Sequence, residues 1–453
     1  MRTTPARSPV HESVWASARA SVWAGAVVGA FAIANTPLIA QTTWPTKAWP
    51  SATPRTVGLN VAVLDSIAGE IAAGRHGFVD RFLVIRRGHI AYDRRFKRDY
   101  DSIYGASARA RGPLNQHDLN SPYNYFNPWW HPYYRRGDLH SLQSVSKTIS
   151  SVIIGTAVTR GDFPSLDTPV LSFFDTTRVK HLDDRKRRLT IRHLLTMTAG
   201  FDWNENVPYE DSTNAAGLME GSYDWEQFVI DRAMMEEPGT RFNYNSGATQ
   251  LLSHIFFKAT KRDIEEYAAV HLFAPLGIER WFWKRTPAGV VDTEGGLFLE
   301  ARDLAKIWYL FLKDGMWDGK RVVSSEWVRM SVAPAIAVGP APNAPRYGFK
   351  WWLYPDPRDT SRYIWSGNGF GGQFPIAFPN DDMVVVFNGW SILPGEVSLP
   401  LRKMLERLAR AVVPSVGAKR SRQPQDVEHA GRDSAVAIER LGTRGSISLP
   451  RVP

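Results

Sequence analysis

The apolar residues of this chain recur at two spacings, and these separate predicted helices from predicted strands. From residue 61 to 73 they lie three and four positions apart, which predicts a short helix. FLVIRRGHIAYDRRF then has two apolar runs around Arg87-Gly88, typical of a β-hairpin. Helical spacing returns from Ser144 to about Thr159, and Gly161 is expected to end that helix. The chain thus alternates between β and α patterns.

The pattern changes again towards the C-terminus. A mainly helical middle continues to about residue 335, followed by the short β-type runs YGFKWWLY, GQFPIAFP and MVVVFNGW. An amphipathic helix, LPLRKMLERLARAVV, closes the pattern. These patterns predict an α+β fold in which about 80–105 and 345–390 share one antiparallel sheet flanked by helices. A helical lobe lies between them in sequence, and a site is expected in the cleft between sheet and lobe.

The two ends of the chain differ from this central domain, predicted over 61–413. Basic residues precede the apolar run VWAGAVVGAFAIANTPLIA, which predicts an export signal or an uncleaved anchor over 1–40. The protein is therefore expected to be periplasmic or secreted, with membrane attachment only through this segment. Residues 41–60 are rich in Pro and Thr and predict an extended linker. The polar residues 414–453 predict a flexible tail.

Composition and charge exclude several kinds of function. The net charge is +10 among 453 residues, but the basic residues are scattered among acidic ones, so a nucleic-acid partner is not expected. The absence of cysteine excludes disulfides and Cys-ligated zinc. The histidines lack metal-ligand spacing and no phosphate loop occurs. No metal or cofactor is therefore expected, and the expected partner is a small molecule.

An S-x-x-K motif, Ser144-Val145-Ser146-Lys147, lies at the start of the predicted helix. About one such match is expected by chance in a chain of this kind, so its setting decides its meaning. On a helix, residues three apart share a face, so the Lys147 amine can reach the Ser144 hydroxyl. A buried lysine, whose pKa falls on desolvation, can act as general base for a serine nucleophile. The alternative is a helix-capping serine with a solvated lysine.

Two further motifs follow in order. GTRFNYNSGATQLL contains Tyr244-Asn245-Ser246, where a tyrosine can pass a proton to a leaving group. YIWSGNGFGGQ is rich in glycine and enters a strand, so a substrate can lie close to its backbone. A backbone N–H of that stretch and the N–H of Ser144 can together bind an oxyanion.

The order of these motifs resembles the penicillin-recognising serine hydrolases, in particular the class C β-lactamase-related esterases and amide hydrolases. The phrases that carry the resemblance lie between about residues 50 and 410: LHSLQSVSKTISSVIIGTAV, DTPVLSFF, LTIRHLLTMTAGFDW, GTRFNYNSGATQLL, FAPLGI, DTEGGLFLEARDLAKIW and SGNGFGGQ. The branch most similar in appearance contains the nylon-oligomer (6-aminohexanoate-dimer) hydrolases and carboxylesterases. The resemblance implies a β-lactamase/penicillin-binding-protein-like fold. It also implies Ser144 as acylated nucleophile, Lys147 as base and Tyr244 as proton relay.

The sequence departs from the family pattern in two places. The second motif reads Tyr-Asn-Ser, so either Asn245 or Ser246 could contact substrate. Where β-lactamases carry Lys-Thr-Gly, this chain has Ser366-Gly367-Asn368 without a cation, and Gly369 or a neighbour could supply the oxyanion amide. The missing cation favours small esters or amides over penicillins. A β-lactamase or penicillin-binding D,D-peptidase, and a catalytically silent cell-envelope binding protein, remain the alternatives.

Four other residues received an interpretation. The resemblance gives Tyr209 a possible role as a substrate-contacting tyrosine on a loop. Tyr125 fits Y-x-N but precedes the nucleophile, so pocket wall or plain loop is favoured. His193 is expected to make a structural hydrogen bond, and Asp303 to cap or brace a helix.

Overall fold

A computed structural model describes residues 44–118, 121, 123–126 and 138–413. The predicted export signal and tail lie outside these residues, so both stay predictions. No helix of the described part combines the length and apolar character needed to cross a bilayer.

The strands of the described residues occur early in the chain and again after residue 280. They are β1 (Val79–Arg86), β2 (His89–Arg95), β3 (His140–Ser141), β4 (Phe282–Trp283), β5 (Leu297–Leu299), β6 (Met316–Trp317), β7 (Lys320–Arg321), β8 (Ile336–Ala337), β9 (Arg346–Tyr347), β10 (Trp352–Asp356), β11 (Asp359–Ser366), β12 (Phe374–Phe378) and β13 (Met383–Gly389).

The helices occur mainly between the two groups of strands. They are α1 (Val61–Ala72), α2 (Tyr100–Tyr104), α3 (Val145–Arg160), α4 (Asp184–Arg187), α5 (Ile191–Leu195), α6 (Ala215–Glu220), α7 (Trp225–Ile230), α8 (Ser246–Thr260), α9 (Ile264–Ala268), α10 (Ala274–Leu276), α11 (Ala301–Leu312), α12 (Ser325–Ser331) and α13 (Leu401–Ala411). Residues Ala269–Phe273 form a π-helical turn between α9 and α10.

The main sheet joins the two ends of the domain. In the described residues it has eight strands in the order β2-β1-β13-β12-β11-β10-β9-β8, all antiparallel. β1 pairs with β13, with Leu83 opposite Val386. The prediction that N- and C-terminal strands share one sheet is therefore confirmed. The predicted N-terminal strand region is too long, since Tyr100–Tyr104 is helical with the Asp99 side chain as its N-cap.

Both faces of the sheet are covered. Strands β1 and β13 are buried along their whole length, and successive side chains of a strand point to opposite faces. Phe82 and Phe387 pack with α1 and α13 on one face. Leu83 and Val386 pack with α3, α11 and the helical middle on the other. This arrangement explains why these strands read as continuous apolar runs.

A smaller sheet positions the start of α3. In the described residues it has three strands in the order β3-β5-β4. His140 lies opposite Leu299, and Ser141 lies opposite Phe298. The Leu142 N–H donates to the Leu297 carbonyl oxygen at 2.9 Å. The segment before β5 is thereby brought beside the first turn of α3.

The described part of the predicted linker packs onto the domain. Trp49 is 8% exposed, and its Nε1–H donates to the Arg302 carbonyl oxygen at 2.9 Å. Ser51 forms a parallel bridge with Ile90 of β2. The proline-rich composition predicted an extended linker, whereas the described part contains turns at 45–46 and 54–58. The composition gave no sign that Trp49 is buried against α11.

Candidate active site

Ser144 occupies the N-cap position of α3, at the open end of an otherwise buried helix. Residues 145–157 are all buried, whereas Ser144 is half-buried. Gln143 precedes it with φ of 49°, a conformation uncommon for a residue with a side chain. At the other end, Gly161 stops the helix with φ of 77°. The apolar residues of α3 therefore anchor the helix in the core and leave the Ser144 hydroxyl at the cleft.

Lys147 lies one turn further along α3, with its side chain only 1% exposed. Its Nζ donates to Ser144 Oγ at 2.8 Å. The same atom donates to the carbonyl oxygen of Glu294 at 2.7 Å and to its Oε2 at 3.0 Å. The structure thus brings together the two residues of the S-x-x-K motif, and it adds Glu294, which the sequence analysis did not single out.

The pKa of Lys147 differs from the sequence-based expectation. Burial by itself lowers this pKa, but the charges of Tyr244, Glu294 and Glu205 outweigh burial, so that the pKa is raised above its usual value. The expectation of a desolvated lysine with a lowered pKa was therefore wrong in sign. It considered only the loss of water, whereas the fold also places two carboxylates near the amine.

Tyr244 lies beside Ser144 and Lys147. Its ring centroid lies 5.3 Å from Lys147 Nζ, and its ring lies 5.9 Å from that of Trp352. Burial raises the pKa of the Tyr244 phenol; Lys147 opposes this shift, and the Ser144 hydroxyl also favours the phenolate. The three residues predicted to be catalytic, Ser144, Lys147 and Tyr244, are thus brought into one cluster.

The other residues of the second motif have structural partners. Asn245 is 1% exposed and caps α8, accepting the Ala248 N–H at 2.7 Å. Ser246 is 3% exposed, and its N–H and Oγ both donate to the Glu205 carboxylate, at 2.7 and 2.9 Å. Both side chains are buried and held by partners within the fold, and the predicted substrate contact of either one stays a prediction.

Glu205 was not singled out from the sequence, although it follows the family phrase ending in FDW. Besides Ser246, its carboxylate accepts the Trp203 Nε1–H at 2.6 Å. Burial raises the pKa of Glu205, and the nearby Lys147 opposes that shift. This carboxylate fixes the start of α8 and therefore the position of Tyr244 just before it.

The glycine-rich third motif lies directly against the nucleophile segment. A Cβ on Gly369 would lie 2.4 Å from the Leu142 carbonyl oxygen, and one on Gly367 would lie 3.3 Å from Val145 Cγ1. At Gly369 only glycine permits the approach, whereas at Gly367 a side chain would require its neighbours to shift slightly. The sequence analysis expected small residues here because of substrate, but in the structure they also admit the neighbouring backbone.

The backbone N–H groups predicted to bind an oxyanion differ in whether they already donate to an acceptor in the fold. The Gly367 N–H donates to the Pro375 carbonyl oxygen, and the Gly369 N–H to that of Gln373. These two predicted donors are therefore occupied. Among the described residues, no acceptor is found for the N–H of Ser144 or Asn368.

The side chains of the third motif are also engaged. Ser366 is fully buried, and its Oγ lies 3.0 Å from both the Gly367 carbonyl oxygen and Asn368 Oδ1. Asn368 Nδ2 donates to the Tyr354 hydroxyl at 2.6 Å. The side chains of Ser366 and Asn368 thus hold the loop, and the Asn368 backbone is left for binding.

Tyr209 lies in an aromatic cluster near the site. Its ring centroid is 5.5 Å from that of Phe370 and 6.3 Å from that of Tyr125. Tyr125 is buried and donates to Glu220 at 3.1 Å, in agreement with its interpretation as a wall residue. The structure leaves the predicted substrate contact of Tyr209 untested.

Behind these aromatics lies a buried charged cluster of Glu220, Asp292 and Lys284. Burial raises the pKa of Asp292 to about 7, with the negative charge of Glu294 acting in the same direction. Burial lowers the pKa of Lys284, whose Nζ lies 4.9 Å from the ring centroid of Tyr125. The sequence gave no signal for this cluster, because its members are far apart in the chain.

A groove of about 960 Å³ leads to Tyr244. Its lining includes Trp203, Phe242, Ile336 and Trp352, with Arg241 among the polar members. Aromatic walls beside a reacting group suit a small organic substrate.

Two other predicted roles are confirmed. His193 Nδ1 accepts the Thr190 N–H at 3.1 Å in a capping box of α5. Asp303 lies in the first turn of α11 and pairs with Lys306 at 2.8 Å.

Comparison with known proteins identifies the family. The sequence profile named Beta-lactamase matches residues 71–391. A 6-aminohexanoate-dimer hydrolase of Paenarthrobacter ureafaciens is 25% identical over 276 residues, which are 56% of this chain and 68% of that protein. The crystal structure of a family VIII carboxylesterase has a TM-score of 0.55 at 14% identity and covers 80% of this chain and 99% of its own. The crystal structure of a penicillin-binding protein homologue from Caulobacter crescentus has a TM-score of 0.54 at 14% identity. The match covers 80% of this chain and 98% of that protein.

The chain therefore belongs to the beta-lactamase family. Within that family it is a serine hydrolase. The predicted α+β fold and the resemblance to 6-aminohexanoate-dimer hydrolases are confirmed. At 14% identity, the two structural neighbours show the fold alone.

Proposed function

We propose that this protein hydrolyses small esters or amides through an acyl-enzyme on Ser144. The observation that carries the proposal is the 2.8 Å contact from Lys147 Nζ to Ser144 Oγ at the half-buried end of a buried helix. A serine hydroxyl needs a nearby group to accept its proton before it can attack a carbonyl. Lys147 and Tyr244 together form that group.

The raised pKa values of Lys147 and Tyr244 favour an ammonium beside a neutral phenol as the resting state. The reaction starts from the minority form in which this pair has lost one proton. Lys147, as general base together with Tyr244, then accepts the Ser144 proton while Oγ bonds to the substrate carbonyl carbon. The negative oxygen that forms is bound by the N–H groups of Ser144 and Asn368.

Tyr244 returns the proton to the leaving alcohol or amine as the ester or amide bond breaks. A water molecule then attacks the carbonyl carbon of the acyl group and gives its proton to the same pair. The pair returns a proton to Ser144 Oγ as the bond between Oγ and the acyl carbon breaks. The acid product leaves and the free enzyme is restored. Each step uses groups of this chain and needs no external oxidant or reductant.

The substrate class is supported by the comparisons and by the third motif. A relative that is 25% identical in sequence is named a 6-aminohexanoate-dimer hydrolase. Where β-lactamases carry Lys-Thr-Gly at the third motif, this chain has Ser366-Gly367-Asn368, which contains no cation. We therefore favour a small ester or amide over a penicillin.

The test is acyl labelling of the purified protein with p-nitrophenyl acetate. The wild type should give a burst of nitrophenol and an acyl mass on the peptide carrying Ser144. Ser144→Ala should lose both and reduce turnover by about 10³-fold or more. Full retention of hydrolysis in that variant would contradict the proposal.

A control serine is available on the same helix. Ser151 Oγ is buried and has no hydrogen-bond partner among the described residues, so Ser151→Ala should label like the wild type. Testing nitrocefin and a fluorescent penicillin alongside separates the β-lactamase alternative. Absence of labelling by every ester, penicillin and fluorophosphonate probe would favour the silent binding protein.

A further inference from the structure

The Lys147 side chain has a complete set of acceptors. An ammonium carries three N–H donors, and Nζ has three oxygen atoms within 3.0 Å: Ser144 Oγ, Glu294 O and Glu294 Oε2. Two of the three belong to one residue. The ammonium is thereby oriented, with one donor directed at the nucleophile and two at Glu294.

Glu294 is itself held rigidly. Its N–H and that of Gly295 donate to Asp292 Oδ1 at 3.1 and 2.8 Å. A Cβ on Gly296 would lie 2.7 Å from Asp292 Cβ, so the turn admits only glycine there. With β5 following directly and paired to β3, the turn is fixed relative to the start of α3. The Glu294 side chain is 6% exposed, and little water competes for its carboxylate.

We propose that Glu294 is a positioning residue of the reaction: it holds the Lys147 ammonium between two of its own oxygens, so that the third N–H meets Ser144 Oγ. The inference rests on the proposed acyl-enzyme function. It adds a fourth residue to the predicted catalytic set, one that acts through Lys147 and has no contact with Ser144 of its own.

The charge of Glu294 acts with that of other groups around the pair. On the Lys147 side, Glu205, Tyr244 and Lys350 lie within electrostatic reach. On the Glu294 side lie the buried Asp292, Glu220 and Lys284, and the tyrosines Tyr123, Tyr125 and Tyr209. Among these, only Glu294 makes an ion pair with Lys147, so its charge stabilises the ammonium most directly.

The test is the pH profile of kcat/KM for Glu294→Gln, in the full chain, with p-nitrophenyl acetate. Removing the carboxylate destabilises the ammonium, so the pair loses its proton at lower pH. The rising limb of the kcat/KM profile should therefore shift to lower pH by about one pH unit. The plateau should fall by about 10- to 100-fold, because a less constrained Lys147 is misplaced.

Two variants separate this role from a structural one. Glu294→Asp keeps the charge on a shorter side chain. The rising limb of its kcat/KM profile should therefore stay within about 0.3 pH unit of the wild-type limb, while its plateau falls below that of the wild type. Glu70→Gln removes a different carboxylate, which pairs with Arg407 at 2.6 Å between α1 and α13 on the other face of the main sheet. It should leave both limb and plateau unchanged, even if it lowers the melting temperature.

Failure of the inference is distinguishable from failure of the proposed function. If the wild type is acylated on Ser144 but the Glu294→Gln limb coincides with that of the wild type, the positioning role is wrong and the acyl-enzyme stands. If wild-type Ser144 is never acylated, both fail together. If Glu294→Gln does not fold, Glu294→Asp decides, since an unchanged plateau would overturn the role.

Discussion

At the residue scale, the proposed chemistry depends on Lys147 and Tyr244. The Lys147 Nζ lies 5.3 Å from the ring centroid of Tyr244. Lys147 is buried and Tyr244 is half-buried, and each shifts the pKa of the other: Tyr244 raises the pKa of Lys147, and Lys147 lowers that of Tyr244. Sequence reasoning identified both residues and placed them with Ser144. It did not identify Glu294 or Glu205, because their proximity to Lys147 arises from strand pairing and a distant loop.

Tyr244→Phe tests the relay at this scale. Without the hydroxyl, Lys147 loses its partner in accepting the Ser144 proton, so the acylation rate should fall by about 10²- to 10⁴-fold, even though p-nitrophenolate leaves without protonation. Stopped-flow measurement of the p-nitrophenyl acetate burst checks the rate. Tyr309→Phe is the control, since Tyr309 is buried against Trp49 and Trp317. A Tyr244→Phe burst within twofold of the wild type would exclude the relay.

At the scale of elements, the site is assembled where three segments meet. The start of α3 carries Ser144, the segment before α8 carries Tyr244, and the loop after β11 carries Asn368. The longer helices and the strands β1, β2, β10, β12 and β13 could be predicted, because their apolar spacing reflects the faces they bury. The short strands β4 to β7 lie within the segment predicted to be mainly helical. Strand β11 was not separated from its glycine-rich end, because its first residues are polar and exposed.

Gly369→Ala tests the contact between two of these segments. A methyl group there would lie 2.4 Å from the Leu142 carbonyl oxygen, so the loop must move away from the nucleophile. We expect the acylation rate to fall by about 10²-fold with the far-ultraviolet circular dichroism unchanged.

The matched control is Gly69→Ala, in the middle of α1. A Cβ there meets no atom within 4 Å, and alanine favours the helix by about 0.5–1 kcal/mol. The control should therefore keep full activity and melt at an equal or slightly higher temperature. Equal activity of the two variants would show that the Gly369 contact does not position the loop.

At the scale of the whole molecule, the buried Lys350 takes no part in the proposed reaction. Lys350 is 1% exposed, and among the described residues the only partner of its Nζ is Met197 Sδ at 3.3 Å. Burial lowers the pKa of Lys350 well below 10.5, with the charge of Lys147 adding to the effect. The folded protein therefore holds Lys350 as a neutral amine at a pH where the unfolded chain holds it charged.

This difference makes stability depend on pH. Between the lowered folded pKa and 10.5, the unfolded state binds one more proton, so the free energy of unfolding rises with pH. Lys350→Met removes this dependence and should raise the melting temperature at pH 7 by about 2 °C or more. The gain should shrink as the pH approaches 10.

Thermal unfolding followed by circular dichroism at pH 7, 8.5 and 10 checks this expectation. The exposed Lys403 of α13 gives the control, because Lys403→Met should change the melting temperature little at any of these values. A gain for Lys350→Met that is the same at pH 7 and pH 10 would show that the lysine titrates normally.

The sequence by itself determined the α+β class, the bounds of α1, the β1–β2 hairpin and α3, and the three residues proposed for catalysis. These properties can be predicted from the sequence because they depend on local apolar spacing or on the order of short motifs. Only the tertiary structure decided that Trp49 is packed, that Asn245 and Ser246 serve the fold, and that Lys147 is held as an ammonium. Those outcomes depend on which buried groups from distant parts of the chain come into contact. Where water is excluded, the charges of these neighbours determine the pKa of a buried group.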